Sequence, residues 1–93
     1  VNIARALADL NDAGYTCLGL DAEAPLPLAA AMPNTPVALV LGSEGRGLRR
    51  LVRERCQRLA SIPMDPAIES LNVAAAAAIA LYERARCLGE PEP

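Results

Sequence analysis

The sequence predicts an α/β domain, a mostly parallel sheet flanked by helices, and three observations predict it. Hydrophobic periodicity alternates between helical and strand-like spacing, in the order helix–strand–loop–strand–helix–strand–helix. The run VALVL at 37–41 is apolar without interruption, which suits a strand in the middle of a parallel sheet covered on both faces. A glycine-rich loop then leads from that strand into a helix.

The elements follow in order. Asn2 suits an N-cap, and Ile3, Ala6, Leu7 and Leu10 fall on one helical face. Gly14 is placed to end this helix in a left-handed turn. Tyr15–Leu20 reads as a short strand closed by Asp21. Pro25, Pro27, Pro33 and Pro36 mark 21–36 as a connection with at most one helical turn, at Leu28–Met32. After Val37–Leu41 comes GSEGRG, then an amphipathic helix over Leu48–Arg58 with Leu48, Leu51, Val52 and Cys56 facing inward. Leu59–Ile62 is another buried strand. Pro63 and Pro66 bracket a loop, because neither continues a helix nor donates to a ladder. A last helix runs from about Leu71 to Arg86, with Gly89 and Pro91 beyond it.

Bulk composition bounds the function. At 93 residues the chain is one domain at most. Hydrophobic residues make up 53% but aromatics only 2%, so the core is built from Ala, Leu, Val and Ile. Each of these buries little area, so a partner surface would add much. The chain starts at Val1 without a signal-like pattern, and it reads as part of a longer protein with the remainder on the N-terminal side. No apolar run is long enough to span a bilayer. His is absent, and Cys17, Cys56 and Cys87 have no metal-ligand spacing. No metal is expected, and the cysteines read as free thiols of a reducing cytosol. The net charge is −2, yet Arg46, Arg49, Arg50, Arg53, Arg55 and Arg58 form a run with only Glu54 as counter-charge. Such a stripe suits nucleic-acid phosphate; a solvated helix face explains it equally well.

Two stretches carry chemistry. In LGSEGRG the glycines at Gly42, Gly45 and Gly47 do not fit GxGxxG, and the Lys of a phosphate-binding loop is missing. They serve backbone conformation and the close approach of a ligand to bare main chain. Glu44 would repel a phosphate. It suits a donor-rich ligand or a structural bond to nearby amides. In SIPMDPAIESLN, Ser70 is placed as an N-cap, and Asn72 offers an amide that can donate or accept. The helix beyond, Val73–Leu81, has no polar face. A helix apolar all round is buried all round, here against a second copy of the chain.

VLGSEGRGLRRLV together with IPMDPAIESLNVAAAAAIALYE resembles motifs 2 and 3 of the SpoU/TrmH family of RNA ribose 2′-O-methyltransferases, in the SPOUT superfamily. The motifs lie at 39–48 and 61–83; the resemblance is strong over 35–86 and looser over 1–20. It implies a SPOUT-type fold with a C-terminal trefoil knot, an exception to the rule against threaded loops. It also implies S-adenosyl-L-methionine as methyl donor, rRNA or tRNA as substrate, a homodimer and a cytoplasmic location. The donor contacts fall largely on main chain at Gly42, Ile62 and Leu71, with Leu41 and Met64 adjacent. Glu44, Ser70 and Asn72 match polar positions around the site, and Arg46, Arg49 and Arg50 are candidates for RNA contact. The family's base is a motif-1 arginine, which has no match here; Arg5 is not its equivalent. Residues 1–93 then form the C-terminal portion of a methyltransferase domain, which binds the donor but is inactive alone. Two positions depart from the family: Gln57 stands where Asp is frequent, and Ala74 follows Val73 where Ser is frequent. The wording of RGLRRLVRERC and ALYERAR is nearer the ribosomal branch. The competing expectations are a non-catalytic knotted module for dimerisation and RNA interaction, and another nucleotide-binding α/β enzyme.

Overall fold

A computed structural model describes residues 2–42, 47–63 and 73–88. The elements are α1 (Ile3–Asp12), β1 (Thr16–Leu20), α2 (Leu28–Ala31), β2 (Val37–Val40), α3 (Arg50–Glu54), β3 (Arg58–Ala60) and α4 (Val73–Cys87). The three strands form one parallel sheet in the order β2-β1-β3. Thr16 lies opposite Val37, and Leu20 opposite Ala60.

The local signals act as their chemistry dictates. The Asn2 side chain accepts from the Arg5 N–H at 3.1 Å and caps α1. Gly14 ends the helix with φ of +102°. Two apolar clusters cover the two faces of the sheet. Leu7, Cys17, Val40 and Leu48 pack on the α1/α3 face, with Ala38, Val52, Cys56 and Leu59 against them. Leu18, Leu28, Ala31, Ala60 and Ala80 pack on the α2/α4 face, with Val37, Leu39 and Ile62 against them. Successive β2 residues thus alternate between two dry layers, which is why VALV is continuously apolar.

The strand order corrects one expectation. β2 lies at an edge of the described sheet and β1 in its middle. An apolar run reports that both faces of a strand are covered, not where the strand sits in the sheet. The central place of β1 shows instead in its burial, with Cys17, Leu18 and Gly19 all buried. A Cβ on Gly19 would lie 2.7 Å from Leu48 Cδ1 and 2.9 Å from both Cys56 Sγ and Leu59 Cδ2. The missing side chain lets three others close over the middle of the sheet.

One further expectation changes. The helix expected over Leu48–Arg58 is only α3, Arg50–Glu54, because the Gln57 N–H already donates to the Cys17 carbonyl and draws the chain into β3. With so late a start, Leu51 turns outward and is 60% exposed, while Leu48 is buried ahead of the helix. In α4 only Ala80 is buried; Val73, Ile79, Leu81 and Tyr82 are exposed. One stripe of α4, with Ala80 at its centre, meets α2 and the cluster around Leu18 and Ala60.

The short α2 cannot satisfy its own last carbonyls. Arg58 Nη1 donates to the Ala31 carbonyl at 2.8 Å. Arg84 reaches the Pro33 carbonyl at 2.6 Å and the Thr35 carbonyl at 2.8 Å. Two arginines thereby pin the proline-rich connection to β3 and α4. Among the described residues no helix is long and apolar enough to cross a membrane.

Gly19→Ala is expected to destabilise the fold by about 1–3 kcal/mol through overpacking. Urea denaturation checks this; a stability equal to wild type would show that the three side chains have room to move.

Candidate functional site

Parallel pairing brings the ends of all three strands to one edge, where Leu41–Gly42 follows β2, Asp21 follows β1 and Ser61–Ile62 follows β3. That edge is where open α/β sheets bind ligands. β1 separates the two outer strands, so the Gly42 and Ile62 segments leave the sheet on either side of Asp21.

The loop after β2 closes on itself. A Cβ on Gly42 would run into the Gly47 carbonyl group and come within 2.6 Å of the Leu48 nitrogen. Gly47 itself has φ of +69°, a conformation glycine adopts freely. Both glycines are therefore required by the backbone, and the main chain of Gly47 packs directly against Gly42 at the strand end. Leu41 and Gly42 are half-buried. Across the edge, Ser61 is fixed by two backbone bonds: its N–H donates to the Leu26 carbonyl at 2.9 Å, and its carbonyl accepts from Leu28 at 2.8 Å. Ile62, the next residue, is half-buried against the Leu18–Leu28–Ala60 cluster. The structure thus brings Leu41, Gly42 and Ile62 to one edge. Glu44, Arg46, Met64, Ser70, Leu71 and Asn72 lie outside the described residues.

The arginine run is not one stripe. Arg53 Nη2 pairs with Asp21 Oδ2 at 3.3 Å, Arg50 with Glu54 at 3.3 Å, and Arg58 bonds the Ala31 carbonyl. Glu54 is therefore not the only counter-charge. Asp21, remote in sequence, was invisible to a reading by proximity along the chain. Arg49 and Arg50 remain exposed. They line an open groove of about 710 Å³ together with Asn2, Ile3, Ala4, Leu51 and Val52. Ile3 and Leu51 give this groove an exposed apolar surface.

Gln57, unusual by motif, has a clear structural task. Its Oε1 accepts the Cys17 N–H at 2.7 Å and its Nε2 donates to the Arg55 carbonyl at 3.0 Å. An acceptor is what this end of the β1–β3 pairing needs, and an amide supplies it as a carboxylate would.

All three cysteines are free. Cys17 Sγ donates to the Leu7 carbonyl and Cys56 Sγ to the Val52 carbonyl. Burial, with a smaller contribution from nearby Cys17, pushes the Cys56 thiol up to about 11. The hydrogen bond to Glu83 pushes exposed Cys87 up, while Glu83 is lowered by its bonds to Arg86 and then Cys87. Among the described residues no cluster could hold a metal ion.

The model of the SpoU rRNA methylase family matches residues 1–82. The chain belongs to that family. Similar family members include the 23S rRNA (guanosine-2′-O-)-methyltransferase RlmB of Ralstonia nicotianae, 46% identical over 85 residues, which are 91% of this chain and 34% of the relative. The same-named protein of Xylella fastidiosa is 49% identical over 86 residues, 92% of this chain and 34% of that one. The chain thus spans about a third of the length of the relatives it matches. The crystal structure of an RNA 2′-O ribose methyltransferase superposes with a TM-score of 0.83 at 30% identity, covering 94% of this chain and 34% of that one. The SpoU methyltransferase AviRb from Streptomyces viridochromogenes, in complex with AdoMet, superposes with a TM-score of 0.76 at 30% identity, covering 90% and 32%. The parallel sheet with helices on both faces is therefore the family's architecture.

The pH dependence of stability follows from Cys56. Its thiol holds its proton up to about 11 in the folded chain, against 9.0 as the ordinary value. The stability carried by the neutral thiol is full below pH 9 and lost as pH rises towards 11. The melting temperature is expected to fall across that window, and Cys56→Ala to flatten the fall; equal slopes by circular dichroism would contradict it.

Proposed function

We propose that this chain is the C-terminal portion of a SPOUT-type methyltransferase domain, which supplies the donor-binding and dimer-forming part of an RNA ribose 2′-O-methyltransferase. The methyl donor is S-adenosyl-L-methionine, and the substrate is rRNA in preference to tRNA. The observation that carries this reading is the Gly42–Gly47 closure at the end of β2, at the same sheet edge as Ile62. Family membership, relatives named as 23S rRNA 2′-O-methyltransferases and the AdoMet complex of AviRb support it. Gly42, Ile62 and Leu71 hold the donor through their backbones, with Leu41 and Met64 beside them. Glu44, Ser70 and Asn72 surround the reacting centre in supporting roles.

The bound donor supplies the methyl group. The chain's own contribution is positioning: a rigid backbone cradle holds the donor at the distance and angle that in-line attack by a ribose 2′-oxygen requires. The arginine that takes the hydroxyl proton in the family has no match in this sequence. The same fact favours the second reading, a non-catalytic knotted module for dimerisation and RNA interaction. The trefoil knot, a homodimer and a cytoplasmic location belong to the proposal. The exposed apolar face of α4, with Ile79, Leu81 and Tyr82, supports the dimer. RNA would run past Arg46, Arg49 and Arg50, the last two of which border the groove beside α1.

Calorimetry with S-adenosylhomocysteine tests the cradle: wild type binds, and Gly42→Ala loses at least about tenfold in affinity, a difference of about 1.4 kcal/mol. Unchanged binding in the variant would remove Gly42 from the site. Charge reversal at Arg49 and Arg50 is expected to weaken RNA binding and to flatten its salt dependence. An unaltered salt slope in filter binding would reduce both residues to a solvated face.

A further inference from the structure

Asp21 has no role in the motifs, yet all its polar groups are engaged where the two donor segments leave the sheet. Its N–H donates at 2.8 Å to the carbonyl of Ala60, the last residue of β3, just before Ser61–Ile62. Its Oδ1 accepts the Glu23 N–H at 2.9 Å, which turns the chain away from the edge. Its Oδ2 pairs with Arg53 Nη2 at 3.3 Å, on the helix that follows the Gly42–Gly47 loop. The Asp21 side chain is 13% exposed and that of Arg53 47%.

The outgoing end of that loop needs such an anchor. α3 has five residues, none of them buried, and no side-chain cap at its N-terminus. A helix so short has no stability of its own and is held only by what it touches. Leu48, Val52 and Cys56 give it apolar footing, but those contacts are non-directional. The Arg53–Asp21 pair is charged, partly shielded from water and fixed to the end of the central strand. It ties the exit of one donor loop to the residue whose own N–H holds the start of the other.

We propose that Asp21, acting through Arg53, is a positioning residue for the methyl donor: it sets the separation between the Gly42 and Ile62 segments without touching the donor. This rests on the donor-binding reading above. A loop displaced by a fraction of an ångström loses contacts to a ligand held by rigid main chain, so the effect appears in donor affinity rather than in folding.

The test compares wild type, Asp21→Asn, Arg53→Gln and Arg53→Lys in the intact protein, by calorimetry with S-adenosylhomocysteine and by thermal melting. Asp21→Asn keeps the shape and the bond from Glu23 but removes the charge. Arg53→Gln changes a half-exposed side chain and keeps the test open should Asp21→Asn fail to fold. Arg53→Gln and Asp21→Asn are expected to raise the dissociation constant by about three- to tenfold with melting within a few degrees of wild type. Arg53→Lys should restore most of the affinity. Wild-type affinity in both charge-removing variants, or a Lys variant as weak as the Gln one, would overturn the role of the pair. Absence of binding by the wild type would overturn the donor reading, and this inference with it.

Discussion

The parallel pairing of β1 with both neighbours is the constraint on which the rest depends. Parallel strands share a carboxyl edge, so the segments after β2 and β3 must emerge together even though α3 and its loops separate them in sequence. A site assembled from Gly42 and Ile62 needs nothing else to bring its halves near. What remains is to fix their spacing and their conformation, and different residues do each.

Conformation is fixed by omission. Gly19 and Gly42 both stand where a Cβ has no room, for different ends. At Gly19 the vacancy is filled by Leu48, Cys56 and Leu59, and the sheet gains a dry centre. At Gly42 the vacancy is filled by the backbone of Gly47, and two stretches of main chain meet at the strand end. Spacing is fixed by charge and by backbone hydrogen bonds. Arg53 ties α3 to Asp21, while Arg58 and Arg84 hold the proline-rich connection whose Leu26 and Leu28 bond Ser61. In a core with almost no aromatic residues, arginines spanning long sequence separations take over part of the work that large side chains do elsewhere.

Much of this was legible in the sequence. The Asn2 cap, the Gly14 stop and the apolar alternation all act through neighbours a few residues away, and local pattern reports them well. The strand-end positions of Leu41, Gly42 and Ile62 follow from strand-then-breaker logic. What escaped depends on distant partners. The central place of β1 is a fact of pairing, not of composition. α3 ends early because Gln57 joins Cys17 across the sheet, and Leu51 faces out because the helix starts only at Arg50. The arginine run looked uniform until Asp21 and the Ala31 carbonyl took two of its members. The apolar character of α4 was legible, and so was its need for a covering surface beyond the single chain, in which only Ala80 of α4 is buried.

In the proposed site the donor is held by main chain at the carboxyl edge, on both sides of Asp21. Backbone amide chemical shifts on titration with S-adenosylhomocysteine test it most directly. The largest changes are expected at Leu41, Gly42, Gly47 and Ile62, with α1 and the outer face of α4 undisturbed. Changes centred instead on Ile3, Ala4, Leu51 and Val52, in the groove between α1 and α3, would contradict it.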